Sequence, residues 1–317
     1  MTSRALLILT FFGSLWFSTF ENVALGQVGR ETGTPADMTS LRQQAEASDA
    51  RAANMLGWDY MLGKHVPQDY AKAAKWYRRA VDSGLPDSEF ALGFLYEQGM
   101  GVGRDYHQAM VYYRAAATHG HATAANNLAS MYEHGEGVEK DPTEAAHWYQ
   151  TAAERGDVTA QCNLASLYFR GVGVGRDYRQ AAKWFRAAAE RGFAPAQDNL
   201  SSLYYTGTGV TRDYSESAAW AERAAEQGYA RAQTDLAYLY ERGKGVPLDY
   251  VMAYIWYDVA QAGGDERASA RMKELAGIMT SRQVLEARAR APQFSRPAWQ
   301  DHLSNPNAAG NAFVSRE

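Results

Sequence analysis

The chain repeats itself every 36 residues, and no insertion breaks that register between residues 49 and 264. Asp69, Asp105, Asp141, Asp177, Asp213 and Asp249 recur at this step, as do Leu56, Leu92, Leu128, Leu164, Leu200 and Leu236. A tyrosine stands four residues after each of these leucines, from Tyr60 to Tyr240, and an alanine recurs from Ala80 to Ala260. With a fixed period of this length each unit can bury its apolar face only against its neighbours, so the sequence reads as one solenoid and not as a pair of globular domains. Its glycine content follows the same rule, because 17 of the 28 glycines fall at three positions of the repeat.

Each unit divides into two helices. In the first, Ala52, Leu56 and Tyr60 share one face, and the small Gly57 beside them admits a close neighbour. Gly63, Gly99, Gly135, Gly171, Gly207 and Gly243 follow the last periodic residue, as a left-handed C-terminal cap requires. A short turn then leads to the recurrent aspartate, which caps the second helix by accepting from its unpaired first-turn amides. Three residues later stand Gln108, Glu144, Gln180 and Glu216, the spacing of a capping box, and Pro142 suits a first helical position. The second helix carries Trp76, Trp148, Trp184, Trp220 and Trp256, with Tyr112 once in their place, alternating with alanines; these aromatics read as core. Gly84, Gly120, Gly156, Gly192, Gly228 and Gly264 end the second helices.

The flanks differ from the array. Ala5 to Phe20 is an apolar run of sixteen residues behind Arg4, followed by small residues at Ala24 and Gly26. Residues 1–26 therefore read as a secretory signal peptide cleaved after Gly26, the run being shorter than the roughly 20 residues a spanning helix needs. Membrane association is expected only if that segment is not cleaved. Residues 27–48 read as a flexible leader and the start of the first helix. Residues 265–291 read as a capping helix region through Met272, Leu275, Ile278 or Met279, and Leu285, and the proline- and asparagine-containing 292–317 as a disordered tail.

The string L-G-x-x-Y-x-x-G-x-G-V-x-x-D-Y, a spacer, then A-x-x-W-x-x-x-A-A-x-x-G resembles the Sel-one-like repeat, a tetratricopeptide-like α/α repeat. The match covers about two thirds of the chain and recurs six times in register. The resemblance implies an all-α, right-handed superhelical α/α solenoid of six helix-turn-helix repeats with a C-terminal capping helix. It also implies a concave groove serving an adaptor or scaffold. The first copy departs from the pattern, with His65 in place of the second turn glycine and Pro67 close behind.

Residues with the spacing of known chemistry are few. No serine has glycines two before and two after it, no lysine has a serine three residues earlier, and there is no His-Glu-x-x-His. His119 and His121 flank Gly120, and two ligands alone do not make a metal site. The glycine-rich turns follow helices instead of strands, and a capping aspartate stands where a phosphate would have to sit. Cys162, the single cysteine, has no basic neighbour in sequence and reads as a small packing or surface residue. No catalytic residue, metal or cofactor is expected, and a net charge of −4 supplies no reason for a nucleic-acid partner.

A helical wheel places the candidate site on the side of the first helix opposite the leucine. Two positions before it are Asn54, Phe90 and Asn126; one before, Asn127, Asn163 and Asn199; two after, Trp58, Phe94 and Tyr238; five after, Phe169 and Tyr205. The resemblance makes this side the concave groove. Its aromatics are of the type that anchors interfaces, and its asparagines could bond the backbone of a protein or extended peptide segment. Lys72, Lys75, Arg78, Arg79, Lys183 and Arg186 on the second helices read as a solvated outer surface. The reading is an exported, periplasmic or secreted, non-enzymatic scaffold of the bacterial envelope. A periplasmic regulator restraining a sensor kinase or exopolysaccharide pathway is the alternative, and a hydrolase is the reading from another class.

Overall fold

The computed structural model describes residues 35–294, which form fifteen α-helices and a terminal 3-10 turn, with no strand among them. The expected signal peptide, the start of the leader and the tail from 295 onward lie outside the described residues. The chain divides into two compact units, the first ending at Ser83 and the second beginning at Gly84.

The first unit holds α1 (Pro35–Glu46), α2 (Ala50–Leu62) and α3 (Tyr70–Val81). Where a flexible leader is the sequence expectation, α1 is instead a helix that buries Ala45 against the unit. It is closed off by Ser48, whose φ of 74° reverses the chain before Asp49 caps α2. Arg42 of α1 donates to the Tyr60 hydroxyl at 3.0 Å, which ties the helix to the repeat. Gly57 is required here: a Cβ would lie 2.4 Å from the ring of Tyr77 on α3.

The second unit continues the pairing. Its first helices are α4 (Pro86–Gln98), α6 (Ala122–His134), α8 (Val158–Arg170), α10 (Ala194–Thr206) and α12 (Ala230–Arg242). Alternating with them are the second helices α5 (Tyr106–Thr118), α7 (Pro142–Glu154), α9 (Tyr178–Glu190), α11 (Tyr214–Glu226) and α13 (Tyr250–Ala262). The array closes with α14 (Glu266–Ala276), α15 (Ser281–Arg290) and the 3-10 turn Ala291–Gln293. Each first helix packs on its own second helix, and each second helix on the next first helix. Leu92, Leu128, Leu164 and Leu200 are fully buried in these seams.

Both turn devices are as the spacing implies, with one exception. The recurrent aspartates cap all six second helices, as Asp177 does by accepting from the Arg179 and Gln180 amides at 2.9 and 3.0 Å. The capping box does not form at Glu144 or Glu216. In every repeat the cap's own amide already donates to the carbonyl of the repeat tyrosine, as from Asp141 to Tyr132 at 3.0 Å, so nothing is left for the carboxylate to accept. Glu144 and Glu216 accept instead from the indoles of Trp148 and Trp220 one turn on, at 3.2 and 3.1 Å. A capping box does form at Thr280 and Gln283, at the start of α15.

The second turn glycine couples one repeat to the one before. Gly173 has a φ of +70°, and a Cβ there would lie 1.9 Å from the carbonyl oxygen of Pro142, the first residue of α7. Among the described residues the glycines with positive φ are the 17 of the repeat pattern, whereas His65 is not left-handed and its turn takes another course. His65 is held by Asp59 at 2.7 Å.

The aromatic core differs from the one expected. Trp76, Trp220 and Trp256 are buried, but Trp148 and Trp184 are only half-buried. The fully enclosed ring belongs to the next residue along the second helix, Tyr77, Tyr113, Tyr149 or Tyr257. In the cap, Leu275 and Met279 are buried, but Ile278 and Leu285 are exposed, and the small Ala287 and Ala291 take the inward positions. Residues 292–294, placed in the tail by the sequence reading, are part of the cap: Phe294 packs edge-on against Trp256 at 5.3 Å.

Candidate functional site

In the first unit, Asn54 and Trp58 are both half-buried on α2, and Trp58 meets Tyr77 edge to face at 6.2 Å. The other nine candidate residues lie in the second unit and divide into two groups.

Residues one and two before the leucine line the seams between repeats instead of an open face. Phe90 is 5% exposed and stacks on His121 at 4.3 Å; Asn126 and Asn127 are 8% and 6% exposed. The asparagines bond along the array: Asn163 donates to Asn126 at 3.3 Å, and Asn126 to Asn127 at 3.3 Å, while Asn199 turns back to the Pro195 carbonyl. Phe90, Asn126 and Asn127 are therefore structural, contrary to the wheel. A wheel treats a helix as packed on one side, but in a stacked array the helix also meets the first helices before and after it. That contact takes up the flanks of the nominally open arc.

Positions two and five after the leucine stay accessible. Phe169 is 41% exposed and leans edge-on against Tyr178; Phe94, Tyr205 and Tyr238 are half-buried. The position five after the leucine, which holds Phe169 and Tyr205, carries a carboxylate in three other repeats of this unit. Tyr113 donates to Glu97 at 2.6 Å, Tyr149 to Glu133 at 3.0 Å and Tyr257 to Glu241 at 2.8 Å, each pair 16 residues apart. Burial and the facing glutamate push the phenols of Tyr113 and Tyr149 up, and burial raises the Glu97 carboxyl. Where the second helix has Phe185 or Ala221, with no hydroxyl to donate, the first helix has Phe169 or Tyr205 in place of glutamate. This pairing is visible in the self-aligned sequence once positions 16 apart are compared.

Cations complete the face. Arg170 bonds Glu133 at 2.9 Å and Arg271 bonds Glu241 at 2.7 Å. Lys244 donates to the Tyr205 hydroxyl at 2.6 Å and lies over the rings of Tyr205 and Tyr214 at 4.6 and 4.9 Å. Burial raises the Tyr205 phenol, but the hydrogen bonds and charges of Lys244 and its neighbours outweigh it, leaving the phenol below its ordinary value. On the second helices the expected solvated surface is partly bonded: Arg186 donates to the Tyr204 hydroxyl, while Arg79 and Lys183 lie over Trp76 and Trp184.

A second polar seam runs through the last repeats. Asp198 is fully buried, with Arg231 Nε 3.1 Å from its Oδ2 but no aligned donor on either oxygen. Burial and the nearby Asp235 push its carboxyl up to about 7. Asp235 is in turn 3.4 Å from Arg267, which also grips Asp265 at 2.6 Å.

His119 and His121 do not converge. His119 pairs with Glu89 at 2.8 Å, and His121 caps α6 by accepting from the Ala124 amide at 3.1 Å through Nδ1. Among the described residues no group of three or more His, Cys, Asp and Glu could hold a metal ion. Cys162 is 7% exposed, and burial pushes its thiol up to about 12. A disulfide reagent at pH 8 is accordingly expected to modify Cys162 about 10³-fold more slowly than a free thiol, with the rate restored in denaturant. Fast labelling of the native protein would contradict this burial.

The sequence model of the Sel1 repeat family matches six successive segments, 50–85, 86–121, 122–157, 158–193, 194–229 and 230–265. Among solved structures, a Sel1 repeat protein from Oxalobacter formigenes is 28% identical, covering 72% of this chain and 93% of its own, with a TM-score of 0.66. A protective antigen present in uropathogenic Escherichia coli, displaying an SLR fold, is 24% identical over 89% of this chain and 91% of its own, with a TM-score of 0.32. A search of the curated proteins finds no match. No helix of the described residues is long and apolar enough to cross a membrane.

Proposed function

The chain belongs to the Sel1 repeat family, and from that membership we propose that it is an exported, non-enzymatic scaffold of the bacterial envelope. It binds a partner protein through the accessible side of its first helices. Sel1 repeat proteins are in general protein–protein interaction scaffolds, and their solenoid is typically non-catalytic. The observation that carries the reading is the row of accessible aromatics Phe94, Phe169, Tyr205 and Tyr238. In the repeats of Phe94, Phe169 and Tyr238 the core is already closed by Tyr113, Phe185 and Tyr257, so those three rings are not needed to fill it, while Tyr205 is half in the core and half in water. Large rings left half in water are the side chains from which an interface gains most. Support for export comes from the apolar run Ala5 to Phe20 and the small residues before Gln27.

A photocrosslinking residue at Phe169 is expected to capture a discrete partner in the native envelope. The same residue at Val111, which is 50% exposed on the second helix α5, is expected to capture none. Alanine at Phe94, Phe169, Tyr205 and Tyr238 together should weaken the captured complex by about 100-fold or more, since single anchors of this type carry about 1–2 kcal/mol each. Capture at Val111 with none at Phe169, or a complex indifferent to the four alanines, would refute the assignment of the face. Mass measurement of the mature protein tests export separately, with loss of residues 1–26 expected.

A further inference from the structure

The accessible face is not uniform from repeat to repeat, and its chemistry changes at the sixth. Position 244 is lysine, as is Lys64 of the first repeat, whereas the four repeats between hold Met100, Glu136, Val172 and Thr208. Position 242 is arginine, where Gln98, His134, Arg170 and Thr206 precede it. Arg170 is held by Glu133, and Arg104, Arg176 and Arg212 each lie over a single ring at 5.6 Å, whereas in the sixth repeat and the cap Arg242, Lys244 and Arg271 together surround Tyr205, Tyr214 and Tyr238.

The arrangement is a continuous band. Lys244 sits between the rings of Tyr214 and Tyr205; Tyr205 meets Tyr238 edge to face at 6.2 Å; and Tyr238 has Arg242 and Arg271 over its ring at 5.6 and 5.5 Å. Within it Glu241 is 13% exposed, approached by both arginines and by the Tyr257 hydroxyl, so its charge is spent inward. Arg242 is 51% exposed, and Arg271 also bonds Glu274 at 3.0 Å. Lys244 donates one hydrogen bond to the Tyr205 hydroxyl and has no carboxylate partner among the described residues.

We infer that this band, Tyr205, Tyr214, Tyr238, Arg242, Lys244 and Arg271, is the docking site for an acidic segment of the partner protein, resting on the scaffold reading above. Three properties select that occupant. The cations are already laid against rings, so little side-chain freedom remains to be lost when a carboxylate arrives. Lys244 retains unspent donors, and a guanidinium beside it supplies the forked geometry that a carboxylate matches. The rings between them offer flat apolar surface for the side chains that alternate with acidic ones in an extended segment. A nucleic-acid strand fits poorly, because Glu241 and Glu274 lie among the cations and would oppose an unbroken line of phosphates.

The test uses the full chain and a fluorescein-labelled peptide of alternating glutamate and phenylalanine, followed by anisotropy. Binding is expected that weakens as salt is raised, that a peptide with arginine for glutamate does not reproduce, and that R242E/K244E reduces by about tenfold or more. R170E, which alters a cation already paired on the same face, is expected to bind within about twofold of the parent protein. Circular dichroism would establish that both variants are folded, and R242A/K244A gives the neutral comparison. Peptide binding unchanged in R242E/K244E, an equal loss in R170E, or displacement of the peptide by a single-stranded oligonucleotide or by a second copy of the chain would overturn the assignment. If the partner captured at Phe169 binds R242E/K244E normally, this inference fails while the scaffold reading stands; if Phe169 captures nothing, the scaffold reading itself fails.

Discussion

Gly173→Ala is expected to destabilise the array by about 3 kcal/mol or more, while Gly175→Ala, two residues away, leaves the melting temperature within about 1 °C. At Gly173 two penalties coincide. An L residue at a φ of +70° costs about 1 kcal/mol on its own. In addition, the added methyl would sit 1.9 Å from the Pro142 carbonyl oxygen, and that oxygen is backbone, so the two repeats must move apart. Gly175 has neither difficulty: nothing lies within 4 Å of its added Cβ, and the equivalent places carry Glu139 and Thr211. Because neighbouring repeats stabilise one another only through their shared seam, the damage should appear as a broadened or two-step melt and not as a uniform shift. A single sharp transition at the parent temperature would show that the turn tolerates the methyl.

The second large effect concerns pH. Asp198 is expected to make the protein less stable as pH rises from about 4 to 7, the reverse of the usual behaviour of a paired carboxylate. Its carboxyl titrates at about 7 in the folded chain and near the ordinary 3.8 when unfolded. Between those values the native state binds the proton that the unfolded chain has already released, so stability falls with rising pH across that window. Once the pH exceeds 7 the cost reaches up to about 4 kcal/mol. Asp235, also raised by burial, acts in the same direction. Asp198→Asn keeps the shape, removes the titration and can donate to its neighbour, so it should raise the melting temperature at pH 8, have little effect below about pH 4 and flatten the profile between. A profile for Asp198→Asn parallel to that of the parent would place the pH dependence elsewhere.

Much of this fold is legible from spacing alone because its punctuation is local. A capping aspartate or a left-handed glycine acts within one turn of backbone, so Asp141 and Gly135 announce their roles without reference to the rest of the chain. Side-chain enclosure is different, since it depends on what approaches from another repeat. The periodic tryptophan looks like the core residue because of its size, yet the ring of Trp148 lies at the rim and Tyr149 fills the interior. The tyrosine can go inward only because Glu133 receives its hydroxyl there. For the same reason angle alone half defines the candidate face: it singles out Phe169 and Tyr238, but Asn126 and Asn127 share nearly that angle and are buried. Of the cations of the sixth repeat, Arg242 ends α12 on the open arc of the wheel, whereas Lys244 lies past the helix end, in the turn, where a wheel does not reach.

An array of identical stacking modules has no intrinsic reason to stop, and an uncovered last module would offer the next copy of the chain the same surface that a further repeat would use. Here α13 is instead overlaid by α15 and the turn after it, with Ala287 and Ala291 buried, Arg288 bonded to the Tyr254 hydroxyl at 3.2 Å and Phe294 against Trp256. These contacts act as a terminator. They cover the side of α13 against which a further module would stack, so the last repeat meets the cap where an inner repeat meets its neighbour.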